Sequence, residues 1–295
     1  MNDMNSLTSS SAFKNSLNLG LTCPNKDGKV GFGGCIYCSK TGSAEYAGDK
    51  KKDLITQFND VKEMMNKKWS NAKYIGYFQA NTNTYAPVNI LKEKYETILK
   101  LPNVVGLNIA TRSDAISDEC LDYLSDLNKR TYLTIELGLQ TIHEKTSILI
   151  NRCHTLSNFE DMVKKLRKRN INVVVHIING LPYETKEMMI DTVKYLSKLD
   201  IQGIKIHALS ILKDTALEKL YKEEKFKILS REEYIDIVCS QLEFLRSDIV
   251  VHRITGDPKI EDLIEPKWLI KKVTIINDID KEMKRRDSYQ GIKYK

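Results

Sequence analysis

The sequence lacks any hydrophobic run long enough to cross a membrane. Its longest apolar stretch, residues 173–178 (VVVHII), covers six positions, whereas a membrane-spanning helix needs about 20 apolar residues. The first fifteen residues are polar and rich in serine and asparagine, without the apolar segment of a secretory signal. We therefore expect a cytoplasmic protein that has no membrane partner.

Linkers rich in proline or glycine and low-complexity segments are also absent. Because no linker marks an internal boundary, we expect one domain over residues 1–295, with a core at about 14–255 and a C-terminal extension at about 256–295. No Gly-x-Gly-x-x-Gly turn follows the first candidate strand, which disfavours a doubly wound dinucleotide-binding sheet.

Cysteine is scarce, and half of the six cysteines fall within sixteen residues, at Cys23, Cys35 and Cys38. In a reducing compartment such a group more often binds metal or does chemistry than forms disulfides. A structural zinc site needs a fourth ligand, yet no histidine lies within a hundred residues of Cys38. A thioredoxin-like redox pair at Cys35 and Cys38 is an alternative. Three thiolates also suit a four-iron cluster with one iron left free to bind a small molecule.

The formal net charge of +7 is concentrated in two basic runs, residues 164–169 (KKLRKR) and 281–286 (KEMKRR). Such runs can contact phosphate backbones. The first run, however, continues an apolar stripe at helical spacing that begins at Phe159. We therefore interpret residues 164–169 as the solvent-facing side of a helix rather than as a binding surface.

Short β-rich runs alternate with longer helical patterns, which indicates βα units and a parallel sheet. Seven candidate strands lie at residues 16–22, 74–78, 105–111, 131–139, 172–178, 203–209 and 249–255. Helical patterns lie at residues 90–99, 118–127, 159–169, 186–199 and 231–246. We predict an α/β fold, a partial (β/α) TIM-type barrel of parallel strands with a C-terminal extension.

Polar side chains collect just past the candidate strands, where barrels of this kind carry their active sites. They are Cys23, residues 79–84, Arg112, Gln140, residues 179–180, Ser210 and Asp257. Others lie along the strands themselves, at Glu136, His176, Lys205, His207, His252 and Arg253. A charge inside an apolar strand costs free energy unless it is paired or functional. Each residue alone can be a satisfied core residue, but together they predict a polar site at the barrel mouth.

The cysteine loop resembles that of the radical SAM superfamily, whose members use S-adenosylmethionine (SAM). Cys35, Tyr37 and Cys38 form the Cys-x-aromatic-Cys end of such a loop, although the eleven residues between Cys23 and Cys35 exceed the usual interval. The longer interval is similar to the YhcC-like branch, which is related to the catalytic subunit of Elongator. Later segments resemble the same branch: YFQANTNTYAP (77–87), ATRSD (110–114), ELGLQT (136–141), NRCHT (151–155), HIINGLP (176–182), HRITGD (252–257) and KRRDSYQG (284–291).

The resemblance implies a [4Fe-4S] cluster bound by Cys23, Cys35 and Cys38. It implies that SAM chelates the open iron through its amino and carboxylate groups. Reduction then cleaves SAM to a 5′-deoxyadenosyl radical, which takes hydrogen from a substrate. A reducing partner such as a flavodoxin or a ferredoxin is implied as well. The cofactors supply the chemistry, and the protein orients them.

The resemblance also implies a set of SAM-binding residues. Residues 79–83 match the segment that meets the methionine amino group, and Arg152 matches an arginine that pairs with the carboxylate. Glu136 and Gln140 match positions near the ribose, and residues 180–182 match a turn beside the adenine. The full predicted set is Gln79, Asn81, Asn83, Arg112, Glu136, Gln140, Arg152, His176, Gly180, Leu181, Pro182 and His207.

The sequence departs from the family pattern in three places. Cys153 and Tyr183 stand where relatives commonly have glycine. If the backbone at 153 requires a positive φ, cysteine is strained there; we interpret Cys153 as a packing residue and not as a cluster ligand. Relatives also carry an Arg/Tyr-rich helix before the first strand, whereas few residues precede Lys14 here.

Three hypotheses remain for the substrate and function. Kinship with the Elongator subunit and the basic charge favour a tRNA or another RNA, bound with salt-dependent affinity. A small metabolite or peptide in the barrel mouth is the second, with the basic runs as solvated surface. The third is a non-catalytic iron–sulfur or zinc module.

Overall fold

Seven parallel strands form one curled sheet in the computed structural model of the chain, which describes residues 12–42, 46–66, 72–224 and 226–295. The strands of this sheet are β1 (Ala12–Leu17), β2 (Lys73–Phe78), β3 (Val104–Thr111), β4 (Tyr132–Gln140), β5 (Asn172–Asn179), β6 (Gly203–Ala208) and β8 (Val250–Arg253). Two shorter strands, β7 (Ile211–Leu212) and β9 (Leu263–Glu265), lie outside it. The first six lie side by side in chain order, with β8 beyond β6, while β7 and β9 pair separately. This topology confirms the predicted partial (β/α) barrel.

Helices connect the strands, as the predicted βα alternation requires. They are α1 (Leu54–Asn66), α2 (Val88–Leu99), α3 (Asp118–Asn128), α4 (Glu144–Leu149), α5 (Leu156–Arg167), α6 (Lys186–Leu196), α7 (Ala216–Glu224), α8 (Arg231–Phe244) and α9 (Lys272–Arg285). Ser117, Thr155 and Thr185 cap α3, α5 and α6 by accepting a backbone N–H. Across the ranges that the structure describes, no helix combines the length and the apolar character that a membrane span requires.

Strand residues alternate between two faces, and this period of two positions the polar side chains. On β4, the residues buried in the hydrophobic core are Leu133, Ile135, Leu137 and Leu139. The residues between them point inward, where Glu136, Gly138 and Gln140 line a cavity. On β5 and β6 the inward positions include His176, Lys205 and His207. The outward face of the barrel therefore packs against helices, and its interior is polar.

The first strand lies earlier than predicted. The pattern indicated residues 16–22, but β1 ends at Leu17. Asn18 Oδ1 accepts a hydrogen bond from the Gly20 amide (3.0 Å), and Gly20 has a φ of 70°, so the chain turns directly after β1. The prediction for this strand is therefore wrong, and Cys23 lies in a loop. The other six predicted strands overlap the observed ones to within two residues at each end.

The C-terminal residues pack against the same barrel. Helix α9 lies on α8, and its Ile275 and Ile279 are buried in the main hydrophobic core. Strand β9 pairs with β7, which directly follows β6. Residues 1–11, which contain most of the segment expected before the first strand, lie outside the described residues.

Candidate active site

A cavity of about 400 Å³ lies inside the barrel. Its volume is within the range of small-molecule sites, roughly 300–1,000 Å³. The loops that follow the strands form its mouth, which is lined by Cys23, Cys35, Cys38, Gln79, Asn81, Arg112 and Gln140. Side chains within the strands form its floor, which is lined by Tyr77, Glu136, His176, Lys205, His207 and Arg253. Most of the polar residues that the strand pattern singled out thus share one cavity, whereas Asn83, Thr84, His252 and residues 179–180 are not among its lining residues.

The three clustered cysteines are half-buried and all line the mouth. The pKa of Cys35 is lowered to about 6, chiefly by a hydrogen bond with Cys38 that acts against burial, with added effects of a Tyr37 hydrogen bond and the positive charge of Arg112. Thiolate is the form of cysteine that binds iron. Among the described residues no group of three or more His, Cys, Asp or Glu is close enough to hold one metal ion. The fit to an iron–sulfur cluster therefore rests on donor chemistry: three converging thiols, one of them acidic.

Asparagine side chains hold the cysteine loop in place. Asn25 Nδ2 donates to the carbonyl of Asn151 (2.6 Å) and lies 3.7 Å from Cys35 Sγ. Asn151 Nδ2 donates back to the carbonyl of Gly34 (2.8 Å), next to Cys35. Asn81 Nδ2 donates to a carbonyl at the start of the loop (3.0 Å). The loop that carries the cysteines is thus tied to the segments after β2 and α4.

Arg152 is buried and fixes the end of β4. Its Nη1 donates to the carbonyls of Leu139 (2.7 Å) and Thr141 (2.6 Å), and its Nε and Nη2 donate to that of His154 (3.1 and 2.9 Å). A guanidinium has about five N–H groups, and four of those of Arg152 therefore donate to these carbonyls. Because these bonds bracket Gln140, Arg152 orients a side chain that lines the mouth.

Three lining residues of the cavity have a buried polar atom without a hydrogen-bond partner in the described structure. The atoms are Thr82 Oγ1, Gln140 Oε1 and His207 Nε2. An unpaired buried polar group costs about 1–3 kcal/mol. Gln140 also has a φ of 66°, a left-handed conformation that is uncommon outside glycine. Each atom is suited to a hydrogen bond with a ligand: Gln140 Oε1 as an acceptor, and Thr82 Oγ1 and His207 Nε2 as a donor or an acceptor.

The floor is organised around the carboxylate of Glu136. Five side chains donate to it: Lys14 (3.2 Å), Tyr77 (2.8 Å), Asn108 (3.0 Å), His176 (2.8 Å) and Lys205. Burial alone would raise the pKa of Glu136, but the positive charge of Lys205 and the His176 hydrogen bond hold it well below its usual range. Burial lowers the pKa of Lys205 to about 8 and that of His176 to about 4. At neutral pH the floor therefore combines a carboxylate, a protonated Lys205 and a neutral His176.

Comparison with known proteins identifies the family. Residues 21–196 match the radical SAM superfamily, and residues 201–285 match the radical SAM C-terminal domain. The chain belongs to the radical SAM superfamily. Members of this superfamily use a [4Fe-4S] cluster and SAM, which agrees with three converging thiols at the mouth of a cavity.

Individual relatives place the chain within the radical SAM superfamily. It is 52% identical over 279 residues to YtqA of Bacillus subtilis, covering 95% of this chain and 87% of YtqA. It is 30% identical over 269 residues to YhcC of Escherichia coli, covering 91% of this chain and 86% of YhcC. The solved structure of Methanocaldococcus infernus Elp3 has the same fold, with a TM-score of 0.71 at 16% identity over 95% of this chain and 64% of that chain. These relatives confirm a YhcC-like branch related to Elongator.

Cys153 does not lie with the three cysteines of the cavity mouth. It is exposed, does not line the cavity, and its thiol donates to Asn151 Oδ1 (3.1 Å). Its φ is 63°, a left-handed backbone conformation that strains a residue with a β-carbon, as expected for a cysteine at this position. Cys120 and Cys239 are buried in the core. That Cys153 is not a cluster ligand stays a prediction, which its position outside the cavity supports, whereas its exposure does not agree with the expected packing role.

The predicted SAM-binding residues divide into two groups. Those that line the cavity are Gln79, Asn81, Arg112, Glu136, Gln140, Arg152, His176 and His207. Those that are not among the described lining residues are Asn83, Gly180, Leu181 and Pro182. Asn83 instead donates to the carbonyls of Phe78 (3.1 Å) and Ala110 (2.8 Å), which closes the turn after β2. Their roles toward SAM stay predictions.

Three residues of the candidate site are not among the sequence-based predictions. Asn25 lies in the cysteine loop and holds it to Asn151. Lys14 and Asn108 lie on β1 and β3 and both donate to Glu136. Asn108 carried a usable signal, because it is a buried polar residue in the apolar run of β3.

Proposed function

We propose that this chain is a radical SAM enzyme that holds a [4Fe-4S] cluster through Cys23, Cys35 and Cys38 and cleaves SAM in the barrel cavity. The observation that supports this proposal most directly is that these three thiols all lie at the mouth of that cavity. When bound, the cluster and SAM supply an electron and a 5′-deoxyadenosyl radical that removes hydrogen from a substrate. A reducing partner such as a flavodoxin or a ferredoxin would deliver the electron.

The residues of the mouth would bind and orient the cofactor. Gln79, Asn81 and Gln140 present polar groups to the cavity, and the unpaired Oε1 of Gln140 is free to accept a hydrogen bond from SAM. Arg152 holds the Gln140 backbone and keeps one N–H group for an anionic ligand group. Arg112 is held by two hydrogen bonds to Asp114 (2.8 and 2.7 Å) and brings positive charge near Cys35.

Four predicted SAM residues would act through backbone shape. Asn83 closes the turn after β2, and Gly180, with a φ of 86°, begins the turn after β5. Leu181 is buried in a second hydrophobic cluster beside the cavity, and Pro182 is buried next to it. We propose that these residues hold the two loops at the mouth and that contact with SAM falls to the lining residues of the mouth, Gln79, Asn81, Arg112, Gln140 and Arg152, whereas Glu136, His176 and His207 lie on the floor.

We further propose that residues 1–295 form a single cytoplasmic radical SAM domain. The second matched stretch, residues 201–285, supplies β6 and β8 to the same sheet as β1 to β5. It also supplies α9, whose buried isoleucines belong to the common core. Neither stretch would complete the barrel alone.

A small-molecule substrate agrees better with the charge distribution than an RNA does. Residues of the basic run at the end of α5 form ion pairs, including Lys165 with Asp118 (3.1 Å) and Arg169 with Asp122 (3.1 Å). In the second run, Arg285 pairs with Glu282 (2.8 Å). These charges are balanced on the surface, as expected of a solvated helix face. A tRNA or other RNA substrate predicts that binding weakens steeply with salt, and salt-independent or absent binding would exclude it.

The proposed function is tested by assaying 5′-deoxyadenosine under anaerobic conditions. The protein is reconstituted with iron and sulfide, reduced with dithionite and supplied with SAM, beside a C23A/C35A/C38A variant. A C153A variant serves as the matched control for loss of a cysteine outside the cavity. We expect cluster and product in the wild type and in C153A, and neither in the triple variant. A fully loaded wild type that makes no product contradicts the proposal, and zinc in place of iron would support the non-catalytic module.

A further inference from the structure

The cavity floor carries an excess of positive charge. Lys205 and Arg253 line the floor with a single carboxylate, Glu136, and Lys14, which is not a lining residue, pairs with the same carboxylate. Asp257 also lines the cavity, but it follows β8 and pairs with Lys272 (2.8 Å). The floor is therefore left with cations that its own carboxylate does not balance, in an enclosed site where unbalanced charge is costly.

Arg253 has no partner of its own. It ends β8, is half-buried and lines the cavity, and among the described residues its side chain has neither a hydrogen bond nor an ion pair. The strand register aligns Arg253 with Lys205 of β6. Other cavity arginines are engaged, Arg112 by Asp114 and Arg152 by backbone carbonyls. A planar guanidinium with unused donors matches the geometry of a carboxylate or a phosphate.

Two neighbouring groups have donors to share with the same ligand. Lys205 donates to Tyr77 and Glu136, which leaves one N–H of its ammonium group. His207 Nε2 is buried without a partner, and its ring lies 5.3 Å from that of His176. Burial, with added effects of the charges of His176, Arg253 and Lys205, holds the pKa of His207 well below its usual range, so the ring is neutral. In the tautomer with hydrogen on Nε2 it can donate to an anion without adding charge.

We propose that the floor is an anion site in which Arg253, Lys205 and His207 bind the carboxylate or phosphate group of an acidic small-molecule substrate. This inference rests on the proposed function, because it assumes that the mouth is occupied by SAM. The two ends of the cavity carry different cations: Arg112 lies at the mouth with the cysteines, whereas Arg253 lies on the floor, aligned with Lys205 in the strand register. If the methionine carboxylate of SAM is held at the mouth, the floor cations serve a second anion.

The proposal is tested by titrating inorganic phosphate, and separately malonate, into the anaerobically reconstituted protein without reductant. Binding is measured by calorimetry with and without saturating SAM. The variants are R253Q, which removes the charge, and R253K, which keeps the charge and loses the planar fork. R285Q is the matched control, since it removes an exposed guanidinium on α9. Circular dichroism and thermal unfolding establish that each variant is folded.

We expect at least one of the two probes to bind the wild type. The same probe should bind R253Q at least tenfold more weakly and R253K with intermediate affinity. R285Q should match the wild type, and saturating SAM should leave the wild-type affinity within about twofold. Failure of both probes to bind, or equal affinity in R253Q, overturns the anion site. Competition between SAM and the probe would assign Arg253 to the cofactor carboxylate and overturn the substrate assignment. If Arg253-dependent binding persists but no 5′-deoxyadenosine forms, the proposed function fails while the anion site stands.

Discussion

Lys205 donates a hydrogen bond to Glu136, and the two side chains form an ion pair inside the barrel, between β6 and β4. The Glu136 side chain is 0% exposed and that of Lys205 is 5% exposed. Taking both charges out of water is costly, and the pair offsets that cost only while both partners are present. The effects of removing the two partners should therefore not be additive.

We expect Lys205→Met to lower the free energy of unfolding by about 3 kcal/mol, because Glu136 would stay charged with only part of its compensation. Glu136→Gln should also be destabilising, since it leaves Lys14 and Lys205 without their carboxylate. The double variant should lose less than the sum of the two, with a coupling of about 1–2 kcal/mol. Urea unfolding at pH 7 measures all three.

The control for this cycle is the exposed pair Lys129 and Asp126, whose side chains are both 73% exposed. Lys129→Met should change the free energy of unfolding by less than about 0.5 kcal/mol. Strict additivity in the Lys205 and Glu136 cycle would contradict a coupled buried pair.

Gly31→Ala should impair loading of the cluster. A Cβ at position 31 would lie 2.2 Å from Asn25 Oδ1 and 2.8 Å from Cys153 Sγ, closer than real Cβ contacts allow. Asn25 cannot simply move away, because it holds the cysteine loop to Asn151. We expect iron content after reconstitution to fall to less than about half that of the wild type, since the loop must shift. Gly256→Ala, whose added Cβ meets nothing closer than 3.4 Å, is the control; equal iron content in both variants would contradict the argument.

The fold could be predicted from the sequence because local patterns carry it. Six of seven strands and all five helical patterns follow from periodicity alone, and charges at Glu136, Lys205 and Arg253 in apolar strands pointed to the interior. The prediction for the first strand is wrong because the turn at Gly20 is set by a hydrogen bond from the Gly20 amide to the Asn18 side chain, and periodicity carries no signal for such a bond. The contacts of the floor depend on register between strands far apart in the chain, so no local pattern could give them.

Cys153→Gly should stabilise the protein. The residue has a φ of 63°, where a β-carbon is crowded by the backbone and glycine is not. We expect a gain of about 1 kcal/mol in the free energy of unfolding, measured in urea. Cys153→Ala removes the same thiol but keeps the β-carbon, so it should show no such gain. A gain of equal size in both variants would assign the effect to the thiol rather than to the backbone.

The stability of the protein should fall as the pH is lowered from 6.5 towards 4. Burial, reinforced by the positive charges of Arg152 and Arg112, lowers the pKa of His154 to about 4, whereas an unfolded histidine titrates near pH 6.5. Between these two values the unfolded chain binds a proton at this histidine and the folded chain does not. Stability is therefore lost as the pH falls, by up to about 1.4 kcal/mol per pH unit for each such histidine.

His154→Gln isolates this contribution. The variant cannot take up the proton on unfolding, so the slope of unfolding free energy against pH between 5 and 6 should decrease by about one proton, roughly 1.4 kcal/mol per pH unit. His154 contacts the backbone carbonyl of Gly138 (3.2 Å), so the variant can also lose stability at every pH. The slope separates the two effects, because a lost contact shifts the whole curve while a lost titration changes its gradient. An unchanged gradient would show that His154 is protonated in the folded protein.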